Sequence, residues 1–206
     1  MRRENATALL IDFDGVLRRY DPAHTAAVEV RHGLEPGEIL AAGLHGPRLL
    51  PAITGHATRA QWRSAIADSF AERVGGPAAA LAMVDQWGAY RGEIVAEALA
   101  FVREVRAAGR PVALTSNATD DLRDDLRLLG VADEFDAVVS SAEVGHPKPA
   151  PEFFAAACAA VGALPKHCLF VDDAERNVRG ARSADLPALR WSGPADLPYL
   201  RAAMGL

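Results

Sequence analysis

LLIDFDGVLRRYD, Leu9 to Asp21, drives an apolar run straight into a carboxylate. Leu9, Leu10 and Ile11 are followed by Asp12, then Phe13, a second acid at Asp14, and Gly15. A continuous apolar run, not an alternating one, is the signature of a parallel strand covered on both faces. In an open α/β sheet, ligands bind beyond the carboxyl ends of the strands. A strand ending in two acids therefore predicts a site at that edge. Gly15 allows the sharp turn that must follow.

Reading outward, the first strand covers 6–11, and similar runs occur at 111–116 (PVALTS), 136–141 (DAVVSS), 168–172 (CLFVD) and 187–191 (PALRW). Helical patterns alternate with the last four. Residues 93–109 place Ile94, Ala98, Phe101 and Val105 on one face and end at Gly109. Segments 119–130, 149–162 and 175–184 follow, the first opening on Thr119 and an acidic turn. Strands alternating with helices predict a doubly wound parallel α/β sheet. Residues 17–92 break the rhythm, and no convincing strand is read there. Segment 58–76 spaces Trp62, Ile66, Phe70 and Val74 one turn apart, and 77–90 reads as a further helix. The expected organisation is a core of residues 1–16 and 93–206 with a helical cap inserted at 17–92.

With 206 residues, 50% of them hydrophobic, the chain is long enough for one large domain or a core carrying an insertion. A net charge of -5 with no basic block argues against nucleic acid or an anionic membrane as partner. No apolar run approaches the roughly 20 residues of a membrane span. The start, MRRENATALLIDFDG, reads as a first strand and not as a signal peptide. Cys158 and Cys168 form no CxxC pair, which suits a reducing cytoplasm, although two cysteines are enough for one disulfide.

The strand ends gather Asp12 and Asp14, then Thr115, Ser116 and Asn117, then Asp172 and Asp173, with Lys148 in the loop after the third strand. Clustered carboxylates repel one another unless a cation joins them. An oxygen-rich set suits Mg²⁺. Lys148 adds positive charge without binding metal, and the ensemble matches a phosphate and its developing transition-state charge. Asp is an established nucleophile toward phosphoryl groups, and an acid two residues on is placed to protonate a leaving oxygen and then activate water.

Four segments in order, DFDGVL at 12–17, TSN at 115–117, Lys148 in GHPKP and VDD at 171–173, resemble the motifs of phosphatase-type members of the haloacid dehalogenase superfamily. The resemblance implies that Asp12 forms an aspartyl-phosphate. Asp14 would serve as acid and then base and offer its backbone carbonyl to Mg²⁺. Ser116 and Asn117 would hold phosphoryl oxygens, and Lys148 would pair with nucleophile and phosphate. Asp12, Asp14, Asp172 and Asp173 would form the metal site, Asp173 directly and Asp172 directly or through water. The insertion resembles the helical cap of the first subclass. DFDGVL, TSN and VDDAERNV resemble the branch of sugar-1-phosphate phosphatases and the phosphatase domain of bifunctional epoxide hydrolases. A small phosphorylated metabolite is the implied partner. Two departures stand out. Ala174 replaces a small hydroxyl residue, with loss of a hydrogen bond behind the acids, and Asp185 replaces a glycine at a turn where left-handed backbone is expected.

Trp62, Phe70 and Trp87 read as packing within the cap, Cys158 as a core residue, and His24, which follows the first motif closely and could face substrate, more readily as surface. Arg18, Arg19 and Tyr20 lie just past Asp12, where a substrate could meet them, but arginines there are more often solvated, and the three are left outside the site. Four rival functions share these motifs in part. A 2-haloacid dehalogenase needs neither metal nor Asp14. A phosphosugar mutase differs in how its cap excludes water, which the motifs leave open. A receiver-type phospho-acceptor module carries its acid pair before its phosphorylated Asp and lacks a large insertion. A binding protein without turnover would have lost motif residues, and none is missing.

Overall fold

The strand that ends in Asp12, β1 (Ala8–Asp12), lies at the centre of a five-stranded parallel sheet. A computed structural model describes residues 5–44 and 47–206. Met1–Glu4 of the expected core and His45–Gly46 of the expected cap lie outside the described residues. The other elements, in chain order, are β2 (Arg18–Arg19), α1 (Pro22–Arg31), α2 (Glu38–Leu44), α3 (Leu49–Ile53), α4 (Arg59–Asp68), α5 (Ala71–Val74), α6 (Pro77–Ala89) and β3 (Glu93–Ile94). Then follow α7 (Ala96–Ala107), β4 (Val112–Ser116), α8 (Leu122–Leu128), β5 (Ala137–Ser140), α9 (Ser141–Val144), α10 (Pro151–Ala160), β6 (Cys168–Asp172), α11 (Glu175–Ser183), β7 (Ala188–Arg190) and α12 (Leu197–Met204).

The strands stand in the order β5-β4-β1-β6-β7. Successive side chains of β1 serve opposite layers. Leu9 and Ile11 pack with Phe101, Val105, Leu126 and Met204. Ala8 and Leu10 pack with Phe153, Phe170 and Val178. A slip of one residue would exchange the two faces, so the apolar pattern fixes the register. Each fully buried Leu or Phe contributes about 1.5–3 kcal/mol relative to exposure, and both layers are built from such residues. The cap has its own core of Val28, Ile39, Ile66, Phe70, Met83 and Val84.

Several boundaries differ from expectation, each for a local reason. Arg18 and Arg19 pair antiparallel with Ile94 and Glu93, so a short ribbon exists where no strand was expected. It marks the two points where the chain leaves and re-enters the core. The expected helix at 93–109 therefore begins at Ala96. Gly92 sits at φ +79, and a Cβ there would lie 2.7 Å from the Arg19 carbonyl, so close backbone approach requires glycine. The 58–76 helix divides into α4 and α5 around Ser69 and Phe70. The 119–130 helix shortens to α8 because the Thr119 hydroxyl donates to Asp121 at 2.6 Å and Asp120 accepts the Arg59 N–H of the cap at 2.8 Å. The acidic turn faces the cap instead of continuing the helix. Asp185 adopts φ 61, the one non-glycine with positive φ among the described residues, as the glycine-to-aspartate departure predicted. No helix of the described residues is long and apolar enough to cross a membrane.

Candidate active site

Register alone brings the acids together. Asp12 pairs with Thr115 across β1 and β4, while Ile11 pairs with Val171 across β1 and β6, so Asp172 follows beside Asp12. Asp12, Asp172 and Asp173 each offer an oxygen within 4.8 Å of the others. Lys148, only 2% exposed, reaches this cluster from the loop after α9. Its Nζ donates to Asp12 Oδ1 at 2.6 Å, to Asp172 Oδ2 at 2.8 Å and to the Thr115 carbonyl at 3.1 Å. Burial opposes charge on Lys148, but Asp12 and Asp172 overcome it and raise its pKa. The Asp12 carboxyl is pushed up to about 8, because burial and the neighbouring Asp172 outweigh the attraction of Lys148.

One lysine thus faces three carboxylates. The excess negative charge and the all-oxygen donor set fit a hard divalent cation. The two adjacent acids are not equivalent. Asp172 is fully buried and accepts from Lys148, from the Ala174 N–H at 2.9 Å and from Asn177 Nδ2 at 3.0 and 3.1 Å. Asp173 is exposed, and its pKa is raised by partial burial and by Asp172. It leans over Gly15, where φ is +86 and a Cβ would lie 2.2 Å from Asp173 Oδ2, so the backbone conformation favours glycine and a side chain there would displace the Asp173 carboxylate. The Ala174 departure leaves no gap behind the acids, since its own N–H and Asn177 serve Asp172.

Asp14 does not join the carboxylate cluster through its side chain. The turn Phe13–Arg18, closed by the Arg18 N–H to the Phe13 carbonyl at 2.7 Å, brings Arg18 back beside it. Arg18 Nε and Nη2 donate to the two Asp14 oxygens at 2.6 and 3.1 Å, and Nη1 donates to Asp125 at 2.7 Å. Arg18 is buried and lies 4.3 Å over the Phe13 ring. The solvated reading of Arg18 is therefore corrected: a salt bridge at i,i+4 and an aspartate 107 positions away hold it inside. Arg19 does face water, paired with Glu93 at 3.2 Å.

Ser116 is buried at the end of β4. Asn117 directs its side chain elsewhere than toward an incoming ligand. Its Oδ1 accepts the Lys148 N–H at 2.7 Å and its Nδ2 donates to the Lys148 carbonyl at 3.0 Å. In this arrangement the amide fixes the lysine. Asn177, Asp125 and Arg18 were missed from sequence. Asn177 lies five residues after Asp172 in VDDAERN, and the other two carry no local signal.

Beside the acids, a cavity of about 350 Å³ runs from Asp14 and Asn117 into the cap. Trp62, Trp87 and His24 line it, so neither the packing reading of the tryptophans nor the surface reading of His24 is complete. Both tryptophans also pack on the cap core. Phe70 and Cys158 are buried as expected, and both cysteines are free.

A family model described as haloacid dehalogenase-like hydrolase matches residues 6–185. A phosphoserine phosphatase of Thermus thermophilus is 40% identical over 51% of this chain and 45% of its own length. The chain thus spans less than half of that relative. A ribulose-1,5-bisphosphate 5-phosphatase of Halopiger xanaduensis is 29% identical over 88% of this chain and 82% of its length. A solved enzyme of the same family from Bacteroides thetaiotaomicron, in complex with magnesium and inorganic phosphate, superposes with a TM-score of 0.72 at 25% identity, covering 90% of this chain and 93% of that one.

Proposed function

The chain belongs to the haloacid dehalogenase-like hydrolases, and we propose that within them it is a Mg²⁺-dependent phosphatase of a small phosphomonoester, working through an aspartyl-phosphate. The observation that carries this reading is the buried Lys148 ammonium held between Asp12 and Asp172, with Asp173 open beside them. The relatives named as phosphatases support it. A cytoplasmic setting accords with two free, buried cysteines.

Asp12 would attack phosphorus, forming a bond from its carboxylate oxygen while the bond to the leaving oxygen breaks. Asp14 would give its proton to that leaving oxygen. It would then take a proton from water, which attacks phosphorus and returns Asp12 as a carboxylate with release of inorganic phosphate. The Asp14 oxygens are both engaged by Arg18, so Asp14 must part from Arg18 to reach the leaving oxygen. Lys148 would hold the nucleophile in place and neutralise charge on the phosphoryl group. Ser116, at the mouth of β4, would meet a phosphoryl oxygen, and Asn117 would keep Lys148 in position. Asp12, Asp173, the Asp14 carbonyl and, directly or through water, Asp172 would hold Mg²⁺. Bound there, the ion supplies charge neutralisation and orientation of the phosphoryl oxygens.

Two expected results test this reading. Exhaustive chelation reduces hydrolysis of p-nitrophenyl phosphate to background, and added Mg²⁺ restores it. Activity indifferent to chelation would refute the metal site. Asp14→Asn retains the nucleophile and loses proton transfer, so hydrolysis of an alkyl phosphate falls by about 100- to 10,000-fold. With p-nitrophenyl phosphate, whose leaving group needs no proton, the first step suffers less while water activation still fails, so the mutant accumulates phosphate on the peptide containing Asp12, visible as added mass. Full turnover of an alkyl phosphate by the mutant would remove Asp14 from its role. Halide release from a 2-haloacid without Mg²⁺ would instead establish the dehalogenase.

A further inference from the structure

The cavity that opens from Asp14 and Asn117 is walled by ring faces and aliphatic side chains of the cap, among them Tyr20, Trp62, Trp87, Leu40, Leu49 and Ile53. Many of its polar groups are already engaged within the protein. Trp62 Nε1 donates to the Gly43 carbonyl at 3.1 Å, and Trp87 Nε1 donates to Thr25 Oγ1 at 3.2 Å. Tyr90 Oη accepts the Asp21 N–H at 3.3 Å, and His24 Nε2 lies 3.3 Å from the Trp87 carbonyl.

The charges are matched in the same way. Arg18 pairs with Asp14 and Asp125, Arg59 with Asp121, Arg91 with Asp125 at 2.9 Å, and Arg63 with Asp85. Each arginine of the wall therefore has an aspartate partner among the described residues. A polyol entering it would exchange water for ring faces over the apolar part of the wall and leave the hydroxyls that face that part without partners, which costs binding. An apolar group would gain by the same exchange.

Resting on the phosphatase reading above, we propose that the substrate's leaving group is apolar and hydroxyl-poor, with an aromatic ring received against the cap tryptophans, and that sugar and polyol phosphates are poor substrates. This departs from the sugar-phosphate branch that the motifs resemble, because the motifs lie in the core and most of the apolar wall of the cavity is built by the cap.

The test compares kcat/KM for 2-phenylethyl phosphate with that for sorbitol 6-phosphate in Mg²⁺, two esters of primary alcohols that differ in the body of the leaving group. Burial of one ring predicts a preference of at least about 10-fold for the phenylethyl ester. Trp62→Leu, checked for folding by circular dichroism, is expected to lower kcat/KM for that ester at least about 3-fold more than for sorbitol 6-phosphate. Equal or better hydrolysis of sorbitol 6-phosphate overturns the inference and leaves the phosphatase standing. So does an equal effect of Trp62→Leu on both esters. If neither ester nor p-nitrophenyl phosphate is hydrolysed, the phosphatase reading fails and takes this inference with it.

Discussion

Asp12→Asn is expected to lower turnover by at least about 10,000-fold, the scale at which loss of a covalent nucleophile is felt, while leaving the fold intact. An amide oxygen is a poor nucleophile toward phosphorus, so the first bond cannot form. The fold survives because Asn keeps the acceptor that the structure uses. The Phe13 N–H and Lys148 Nζ both donate to Asp12 Oδ1, at 2.7 and 2.6 Å, and an amide oxygen accepts both. Lys148 also retains Asp172 as its ionic partner. The measurement is hydrolysis of p-nitrophenyl phosphate by freshly prepared protein whose mass excludes deamidation, together with its thermal transition. Turnover near that of the wild type would remove Asp12 from the chemistry. A collapsed fold would show that its charge, and not its acceptor geometry, holds the strand ends together.

Lys148→Met is expected to damage both stability and activity, and so separates this lysine from an ordinary surface residue. Methionine matches the length of the stem but withdraws three hydrogen bonds and the cation between two carboxylates. Breaking a buried ion pair from one side costs about 3–5 kcal/mol, because the remaining charge stays buried without a partner. For a chain of this size each kcal/mol lowers the thermal midpoint by about 2–4 °C. A divalent cation should restore part of the loss, since it replaces positive charge at the same acids. Activity should fall at least about 100-fold, as when a preorganised group facing the transition-state charge is removed. The chain's other lysine, Lys166, is exposed in the loop before β6, and Lys166→Met should alter stability by no more than about 0.5 kcal/mol. If the two substitutions have the same small effect, the buried triad of Lys148, Asp12 and Asp172 is not what organises the site.

Local sequence carried the sheet and located most of the candidate site. Each apolar run marks a strand because a parallel strand buried on both faces must be apolar throughout, and that demand is written in consecutive residues. The acids at the ends of β1 and β6 could be located for the same reason. Once a run is a strand, its last residue lies at the edge where ligands gather. Asp185 and Gly15 were legible because left-handed backbone restricts residue type at a single position. Other features depend on segments far apart in the chain. Arg18 is buried only because Asp125, on α8, closes over it, and nothing in DFDGVLRR announces that aspartate. The ribbon of Arg18–Arg19 with Glu93–Ile94 is two residues long, too short for any period, and exists because the inserted cap must enter and leave the core at one place. Asn117 turns its amide to the backbone of Lys148 because two loops from different strands meet there. Helical spacing marked Trp62 as an apolar position but could not show that part of its surface faces a cavity, since that depends on how the cap is set over Asp14 and Asn117. Burial on one element and chain direction are local quantities. Charge pairing across loops and the walls of a cavity are properties of the assembled molecule, and only the tertiary structure decides them.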